Sequence, residues 1–156
     1  MPKKPTAADA ELILKLYDLR REAEMRKARH WWVVNFWPES ADDLARIAMA
    51  VGTQENNWLR QVTGYWEMAA SFVLHATLSE DLFMELACCG EMFIIYAKAR
   101  PFLKDLRVQL KSPTLMSNIE KLITRSKSGR ETLKGFEERL AARRKMMKDA
   151  TGAKAS

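Results

Sequence analysis

The 156-residue chain contains little of what several fold classes require. It has only two cysteines, six glycines and five prolines. So few turn-forming residues argue against an all-β fold, in which tight turns recur between short strands. The cysteines, Cys88 and Cys89, are adjacent within a helical pattern, where neighbouring side chains point about 100° apart. We therefore expect two free thiols in a reducing cytoplasm rather than a disulfide.

A long hydrophobic run is also missing. The most apolar stretches, residues 30–38 and 68–79, are much shorter than the roughly 20 residues that a membrane-spanning helix needs. The first residues include Lys3 and Lys4 and are followed by charged sequence, not by the apolar core of a signal peptide. We expect a cytoplasmic protein with no transmembrane segment, in which residues 1–5 form a disordered leader.

The motifs of familiar enzymes are missing as well. Only two histidines are present, His30 and His75, and neither follows a glutamate by three residues, as in di-iron carboxylate bundles. There is no Gly-rich phosphate loop, no cysteine pair with metal-ligand spacing and no nucleophile elbow. The sequence therefore predicts no cofactor and no metal site, and it favours a protein that is not an enzyme.

Helical patterns, by contrast, run through the whole chain. The composition is that of a soluble globular protein, with 47% hydrophobic and 29% charged residues. Apolar residues recur with helical spacing, and Thr6, Ser40, Thr53 and Ser79 stand where N-caps are expected. These patterns predict an all-α, single-domain bundle of five or six helices, with its core in residues 6–126.

The boundaries of the predicted helices follow from caps, prolines and glycines. Gly52 is expected to end one helix, Pro101 to kink or restart another, and Pro113 to start a third. The predicted helical ranges are 6–37, 41–51, 53–76, 80–100, 113–125 and 130–148.

The central prediction is a long antiparallel hairpin made of the two helices on either side of residues 78 and 79. In such a hairpin, residues at equal height have numbers that add to about 157 or 158, since both helices rise equally per residue. Glu67 would then lie level with Glu91, and Arg60 level with Lys98. Gly64 is expected to permit a close approach of two backbones, because glycine otherwise costs about 1 kcal/mol inside a helix.

This hairpin supplies the candidate site residues. Glu67 and Glu91 are candidate catalytic residues, with His75 on the same helical face as Glu67. Two carboxylates held close in an apolar shell raise one pKa, which suits proton transfer or metal binding. Arg60 and Lys98 are candidate binding residues. The alternative is that these charged groups face solvent or form a structural ion-pair network.

Positive charge is concentrated at the C-terminus. Residues 1–110 contain 14 Lys or Arg against 15 Asp or Glu, whereas residues 111–156 contain 12 against 5. Residues 127–156 are predicted to form a basic amphipathic helix with a frayed tail. Its Arg139, Arg143, Arg144 and Lys145 are candidate contacts to nucleic-acid phosphates. The same cations are also favoured by the dipole of the helix C-terminus without any partner.

Three strings of the sequence resemble a known family in their order and spacing. They are RREAEMRKAR, QVTGYWEMAASFVLHATLSEDLF and GEMFIIYAKARPFLKDLR. The resemblance spans about residues 12–110, includes Pro101 and Arg107, and is to small bacterial helical proteins known only as a domain of unknown function. It implies a bacterial, cytoplasmic helical domain and no activity. Members often carry an N-terminal membrane segment, which this sequence does not show.

Together these patterns predict a helical binding or scaffolding module that self-associates or binds another protein. The five Trp, six Phe and three Tyr motivate this expectation, because more large rings than a small core needs can be covered by a partner. Two alternatives stay open. One is a nucleic-acid-associated protein that uses the C-terminal helix, and the other is a metal- or carboxylate-dependent enzyme that uses Glu67 and Glu91.

Overall fold

The computed structural model describes residues 3–155 of the chain. This part contains nine α-helices and no strand, with a π-helical segment at Trp31–Asn35 and a 3-10 turn at Arg100–Phe102. The α-helices are α1 (Ala7–Arg20), α2 (Ala23–His30), α3 (Ala41–Met49), α4 (Gln54–Leu74), α5 (Glu80–Phe83), α6 (Leu86–Ala99), α7 (Leu103–Gln109), α8 (Ser117–Thr124) and α9 (Lys127–Ala155). The predicted all-α class is confirmed, although the helices are more numerous than predicted and most of them are shorter.

The two ends of the chain agree only in part with expectation. Residues 3–5 of the predicted leader are exposed and not helical, while Met1 and Pro2 lie outside the described residues, as does Ser156 of the predicted tail. Among residues 3–155, no helix combines the length and the apolar character needed to cross a bilayer.

Thr6 begins α1, as its sequence context predicts. The Thr6 hydroxyl accepts a hydrogen bond from the Asp9 backbone N–H at 3.3 Å, and the Asp9 carboxylate accepts one from the Thr6 N–H at 2.8 Å. This is a capping box. The predicted uninterrupted helix to Trp37 is wrong, because the chain leaves the helical conformation at Arg21 and Glu22. The Glu22 carboxylate then caps α2 by accepting two backbone N–H groups at 2.9 and 3.1 Å.

Ser40 and Thr53 cap α3 and α4 as predicted, each accepting the backbone N–H three residues later. Gly52 does not cap α3, which ends earlier. It lies instead in the turn between the helices with a φ of +91°, a conformation that glycine adopts without strain. The Asn56 amide is buried and donates to two carbonyls at the end of α3, at 2.9 and 3.0 Å. This side chain fixes α3 against the first turn of α4.

The predicted helix 80–100 is two helices. At Glu85 the backbone is extended, with ψ of 130°, and its carbonyl accepts the N–H groups of Cys88 and Cys89 at 2.8 and 3.1 Å to start α6. Both cysteines are free thiols. Pro101 lies in the 3-10 turn that leads from α6 into α7, where its missing N–H leaves no helical hydrogen bond unmade.

Pro113 does not start a helix, contrary to prediction. Residues 112–116 form turns, and α8 begins only at Ser117 after a left-handed Met116 with φ of +56°. The Met116 side chain is buried, and this packing holds the strained backbone in place. The last helix, α9, begins at Lys127 rather than at Arg130 and extends beyond its predicted end.

Helix α4 is the centre of the packing. It lies chiefly against α2 and α8, with α3 on its N-terminal part, whereas α6 packs chiefly against α9. The predicted hairpin of two long consecutive helices is therefore not confirmed. The physical reason is that α5 and the extended Glu85 separate α6 from the loop after α4. The short connection that the equal-height pairing of residues assumes therefore does not exist.

The large aromatic side chains mostly fill the core. Trp32, Trp66, Phe93 and Tyr96 are each about 1% exposed and lie in one continuous buried cluster. They are therefore used for packing within the chain.

Candidate functional site

A pocket of about 340 Å³ opens beside α4, bordered by α3, α7 and the turns that precede α8. Its volume lies within the range of small-molecule sites, and its walls are mainly apolar. The larger apolar side chains of the walls are Trp32, Leu44, Leu59, Leu106, Leu110, Leu115 and Met116. Its polar side chains are Arg60, Thr63, Glu67, Ser112 and Thr114.

Gly64 lies at the mouth of this pocket. A Cβ atom at this position would meet nothing within 4 Å. The predicted role of Gly64 in a close approach of two backbones is therefore wrong. The missing side chain leaves open space on the exposed side of α4, and this space is continuous with the pocket.

Arg60 and Glu67 flank Gly64 one turn away on either side, but their side chains differ in role. The Arg60 side chain is exposed, and within residues 3–155 it has no hydrogen bond or ion pair. The Glu67 carboxylate instead accepts the backbone N–H groups of Asn118 and Ile119 at 3.3 and 3.0 Å. Glu67 thus caps α8 from a different helix, because Met116 offers no side-chain cap.

The environment of Glu67 affects its protonation in two opposing ways. Burial raises the pKa of the Glu67 carboxyl, while the N–H groups at the start of α8 lower it. The net direction is upward. A raised carboxyl pKa inside a pocket is common at functional sites, although burial alone accounts for it here and the capping N–H groups oppose it.

Glu91 does not meet Glu67 and belongs to a separate, partly buried network. Its carboxylate accepts a hydrogen bond from Arg29 Nε at 2.7 Å and another from Trp66 Nε1 at 3.0 Å. The Arg29 guanidinium also donates to the Arg20 carbonyl at 3.2 Å. This network joins α2, α4 and α6, and it occupies the Glu91 oxygens that a catalytic role would need.

Lys98 is buried in a cage of backbone carbonyls. Its ammonium donates to the carbonyls of Trp32, Val33 and Phe36 at 2.8, 2.9 and 2.8 Å, and it lies 3.8 Å from the centroid of the Trp37 ring. Because a lysine ammonium has three N–H donors, all of them are used. Lys98 therefore holds the end of the π-helical segment rather than lying level with Arg60 at a binding surface.

The charge on Lys98 is subject to opposing effects. Burial, reinforced by the guanidinium groups of Arg143 and Arg144, lowers the pKa of Lys98 to about 7. The three carbonyl oxygens and the ring face stabilise the ammonium form. Only this form can satisfy all three carbonyls, since a neutral amine has two N–H groups.

Most of the candidate cations on α9 also have partners within the chain. Arg144 donates to the Pro38 carbonyl at 3.0 Å. The guanidinium groups of Arg143 and Arg144 both lie over the Trp37 ring. Arg139 lies over the Phe136 ring at 4.4 Å, whereas Lys145 is exposed. These contacts attach α9 to the segment after the π-helix, so the basic helix is not a free phosphate-binding surface along its whole length.

The remaining candidate, His75, is exposed at the C-terminus of α4, away from the pocket residues Arg60 and Gly64. Within the part of the chain that the structure describes, no group of three or more His, Cys, Asp or Glu side chains could hold a metal ion.

Comparison with known proteins assigns the chain to a family. The sequence model of the family described as Domain of unknown function (DUF4760) matches residues 5–126. The chain belongs to the DUF4760 family. This confirms the resemblance to a domain of unknown function. No curated protein and no solved structure matches the chain.

The matched DUF4760 region contains the complete pocket beside Gly64, and all of α9 lies outside it. The family description names no activity, so function has to be argued from the pocket.

Sequence reasoning missed the wall of this DUF4760 pocket that comes from residues 110–116. Ser112 followed by Pro113 predicts a helix start, although residues 112–114 are turn-forming residues throughout. Taken as a turn, these residues would have predicted an irregular segment after α7. No local pattern indicates that this segment packs beside Gly64.

Proposed function

We propose that this DUF4760 chain is a helical binding module whose pocket beside Gly64 takes a small, largely apolar ligand with one negatively charged group. The pocket itself is the observation that carries the proposal. Apolar ligand surface buried there contributes about 25 cal/mol per Å², and the walls belong to a packed core that needs no rearrangement.

The charge of the ligand is inferred from the two ionisable groups of the pocket. The Glu67 oxygens are engaged by the backbone N–H groups of α8, so this carboxylate is not available to pair with a cationic ligand. Arg60 lies at the mouth without a hydrogen-bond or ion-pair partner among residues 3–155, and a guanidinium binds carboxylate, sulfonate or phosphate groups through paired N–H donors. Glu67 is then a positioning residue, since it holds the turns before α8 as one wall.

Filling the pocket should weaken ligand binding strongly without unfolding the protein. We expect the anionic apolar dye 1-anilinonaphthalene-8-sulfonate to bind the wild type with increased fluorescence, and Gly64→Leu to weaken binding at least about tenfold. The leucine replaces a helical glycine with free space around it, so the free energy of unfolding should stay equal or rise by up to about 1 kcal/mol. Fluorescence titration and urea unfolding measure the two quantities.

Two further variants separate the apolar and charged contributions. Arg60→Gln should weaken binding of the sulfonate dye but not of the uncharged N-phenyl-1-naphthylamine. Gly152→Leu, at a helical glycine of α9 where a Cβ atom would also meet nothing within 4 Å, should change the binding of neither dye. Unchanged dye binding in Gly64→Leu would show that the dye binds elsewhere and would contradict the proposal.

We also propose that the module self-associates, through the outer face of α1. What supports this is that Leu14 and Tyr17, one turn apart, are 66% and 50% exposed. Light scattering after gel filtration should show a mass above the monomer that falls for Leu14→Glu and not for Met146→Glu, an equally exposed apolar position on α9. A wild-type monomer at the highest protein concentration would rule this out.

The remaining expectations from the sequence stay predictions. They include a bacterial origin, a cytoplasmic location, the domain boundary between residues 126 and 127, nucleic-acid binding by α9, and the alternative of a metal- or carboxylate-dependent enzyme that uses Glu67 and Glu91.

A further inference from the structure

A second and larger cavity, of about 790 Å³, is an open groove between α2 and the first turn of α4. It shares no lining residue with the pocket beside Gly64. The two cavities also differ in character, because aromatic rings line one part of this groove and basic side chains line another.

The aromatic part consists of Trp31, Phe36 and Trp58. The Trp31 and Phe36 rings are stacked, with centroids 4.5 Å apart and an angle of 13° between the planes. The Trp58 ring lies 6.2 Å from Trp31, tilted by 43°. Phe36 and Trp58 are only partly buried, so ring surface remains open to the groove.

The stacking of these rings depends on the π-helical segment. The Phe36 N–H donates to the Trp31 carbonyl at 2.8 Å, which closes a hydrogen bond between residues five apart. This wider turn places the two rings on the same side of the segment. Single π-helical turns occur frequently at functional sites, because they cost helical stability and persist where side chains must be placed unusually.

The polar side chains of the groove come from three elements, which are α2, the π-helical segment and α4. Arg26, Lys27 and His30 are exposed on one face of α2. Lys27 pairs with Glu24 at 2.7 Å, whereas the Arg26 side chain has no hydrogen bond or ion pair to residues 3–155. Asn35 and Glu55 border the groove from the π-helical segment and from α4, where they offer hydrogen-bond donors and acceptors.

We propose that this groove binds a nucleotide, either free or within a single strand. The base stacks on the exposed ring surface of Trp58 and Phe36, the phosphate pairs with Arg26, and an N–H of His30 donates a hydrogen bond to the phosphate. The amide of Asn35 and the carboxylate of Glu55 bind polar edges of the base or the ribose hydroxyls. Stacking on aromatic rings combined with cations for the phosphate is the usual chemistry of single-strand recognition.

The charges of the groove favour a nucleotide over inorganic phosphate. Glu55 repels a free anion and offsets part of the positive rim, so inorganic phosphate has little to hold it. An uncharged nucleoside stacks but leaves Arg26 unpaired. Only a ligand with both parts uses the rings and the cations together.

Tryptophan fluorescence and titration calorimetry with AMP at low salt test the proposal on the full chain. AMP should quench the fluorescence and bind at least about tenfold more tightly than either adenosine or inorganic phosphate. Trp58→Leu should weaken AMP binding at least about tenfold, and Trp58→Phe, which keeps a ring, should restore most of it. Similar affinities for AMP and a short oligoadenylate indicate a free nucleotide, whereas much tighter oligonucleotide binding indicates a strand.

Charge-matched variants distinguish a site from general electrostatics. Arg26→Gln should weaken binding of AMP but not of adenosine. Lys104→Gln removes one exposed positive charge on α7 and should leave both unchanged. Equal weakening by Lys104→Gln and Arg26→Gln would overturn the proposal. So would the absence of binding by both AMP and the oligonucleotide, or unchanged AMP binding in a folded Trp58→Leu variant.

Discussion

Gly129→Ala is expected to destabilise the protein by about 3 kcal/mol or more, because its Cβ would lie 2.1 Å from the Ile123 carbonyl oxygen. The clash is with backbone, which cannot rotate away as the end of a long side chain could. Gly129 is buried in the first turn of α9, where the chain has just left α8. The junction between the two helices must therefore shift to admit one methyl group.

Such a shift would be transmitted to the packing of α9 on α6. The two helices meet where the Phe93 and Phe136 rings stack, with centroids 5.4 Å apart, and near the buried Leu133. Urea unfolding followed by circular dichroism measures the loss of stability. Gly135→Ala is the matched control, because its nearest neighbour would be Arg139 Nη1 at 3.8 Å, and we expect a gain of about 0.5–1 kcal/mol there. Similar stabilities for the two variants would contradict the expected close approach.

Lys98→Met is expected to cost about 3–5 kcal/mol. Methionine preserves most of the side-chain volume but leaves three carbonyl oxygens without their donor, and each unsatisfied buried polar group costs about 1–3 kcal/mol. Contact with the Trp37 ring is lost at the same time. Unfolding is measured at pH 6, where Lys98 carries all three protons in the folded protein. Because the folded pKa of about 7 lies below the ordinary lysine value of 10.5, the stability contribution of Lys98 is lowest below pH 7 and rises with pH above it, so this pH gives the smallest expected loss.

The exposed Lys104 provides the control for this substitution. Lys104→Met on α7 removes the same charge and should change stability by less than about 0.5 kcal/mol. Hydrogen exchange gives a second readout, since amides of the π-helical segment should exchange faster in Lys98→Met. If that variant were as stable as Lys104→Met, the carbonyl cage would contribute nothing to the fold.

Local chemistry explains which parts of the fold were predictable from sequence. Thr6, Ser40 and Thr53 were identified as caps because each bonds to a backbone N–H only three residues away. The break at Glu22 was not predicted, because the flanking residues are good helix formers and the competing cap comes from a side chain that is rarely an N-cap.

The candidate site shows the same division. Arg60, Gly64 and Glu67 all line one pocket, and their shared face on α4 follows from helical spacing alone. Helical spacing does not predict which residues lie opposite this face of α4. The equal-height pairing of a hairpin predicts Glu91 opposite Glu67. In the structure Glu67 meets Ile119, 52 residues away in sequence, and Glu91 meets Arg29, 62 residues away.

The sequence by itself determined the helical class, four helix starts, the family and the residues that share a face of α4. The four starts follow Thr6, Ser40, Thr53 and Ser79. These depend on interactions within one or two turns, which the order of residues specifies directly. Only the tertiary structure decided that α8 rather than α6 lies beside Glu67, that Lys98 is enclosed by carbonyls, and that Gly64 opens onto a cavity. Such outcomes depend on how distant helices share one limited core, and no local pattern encodes that competition.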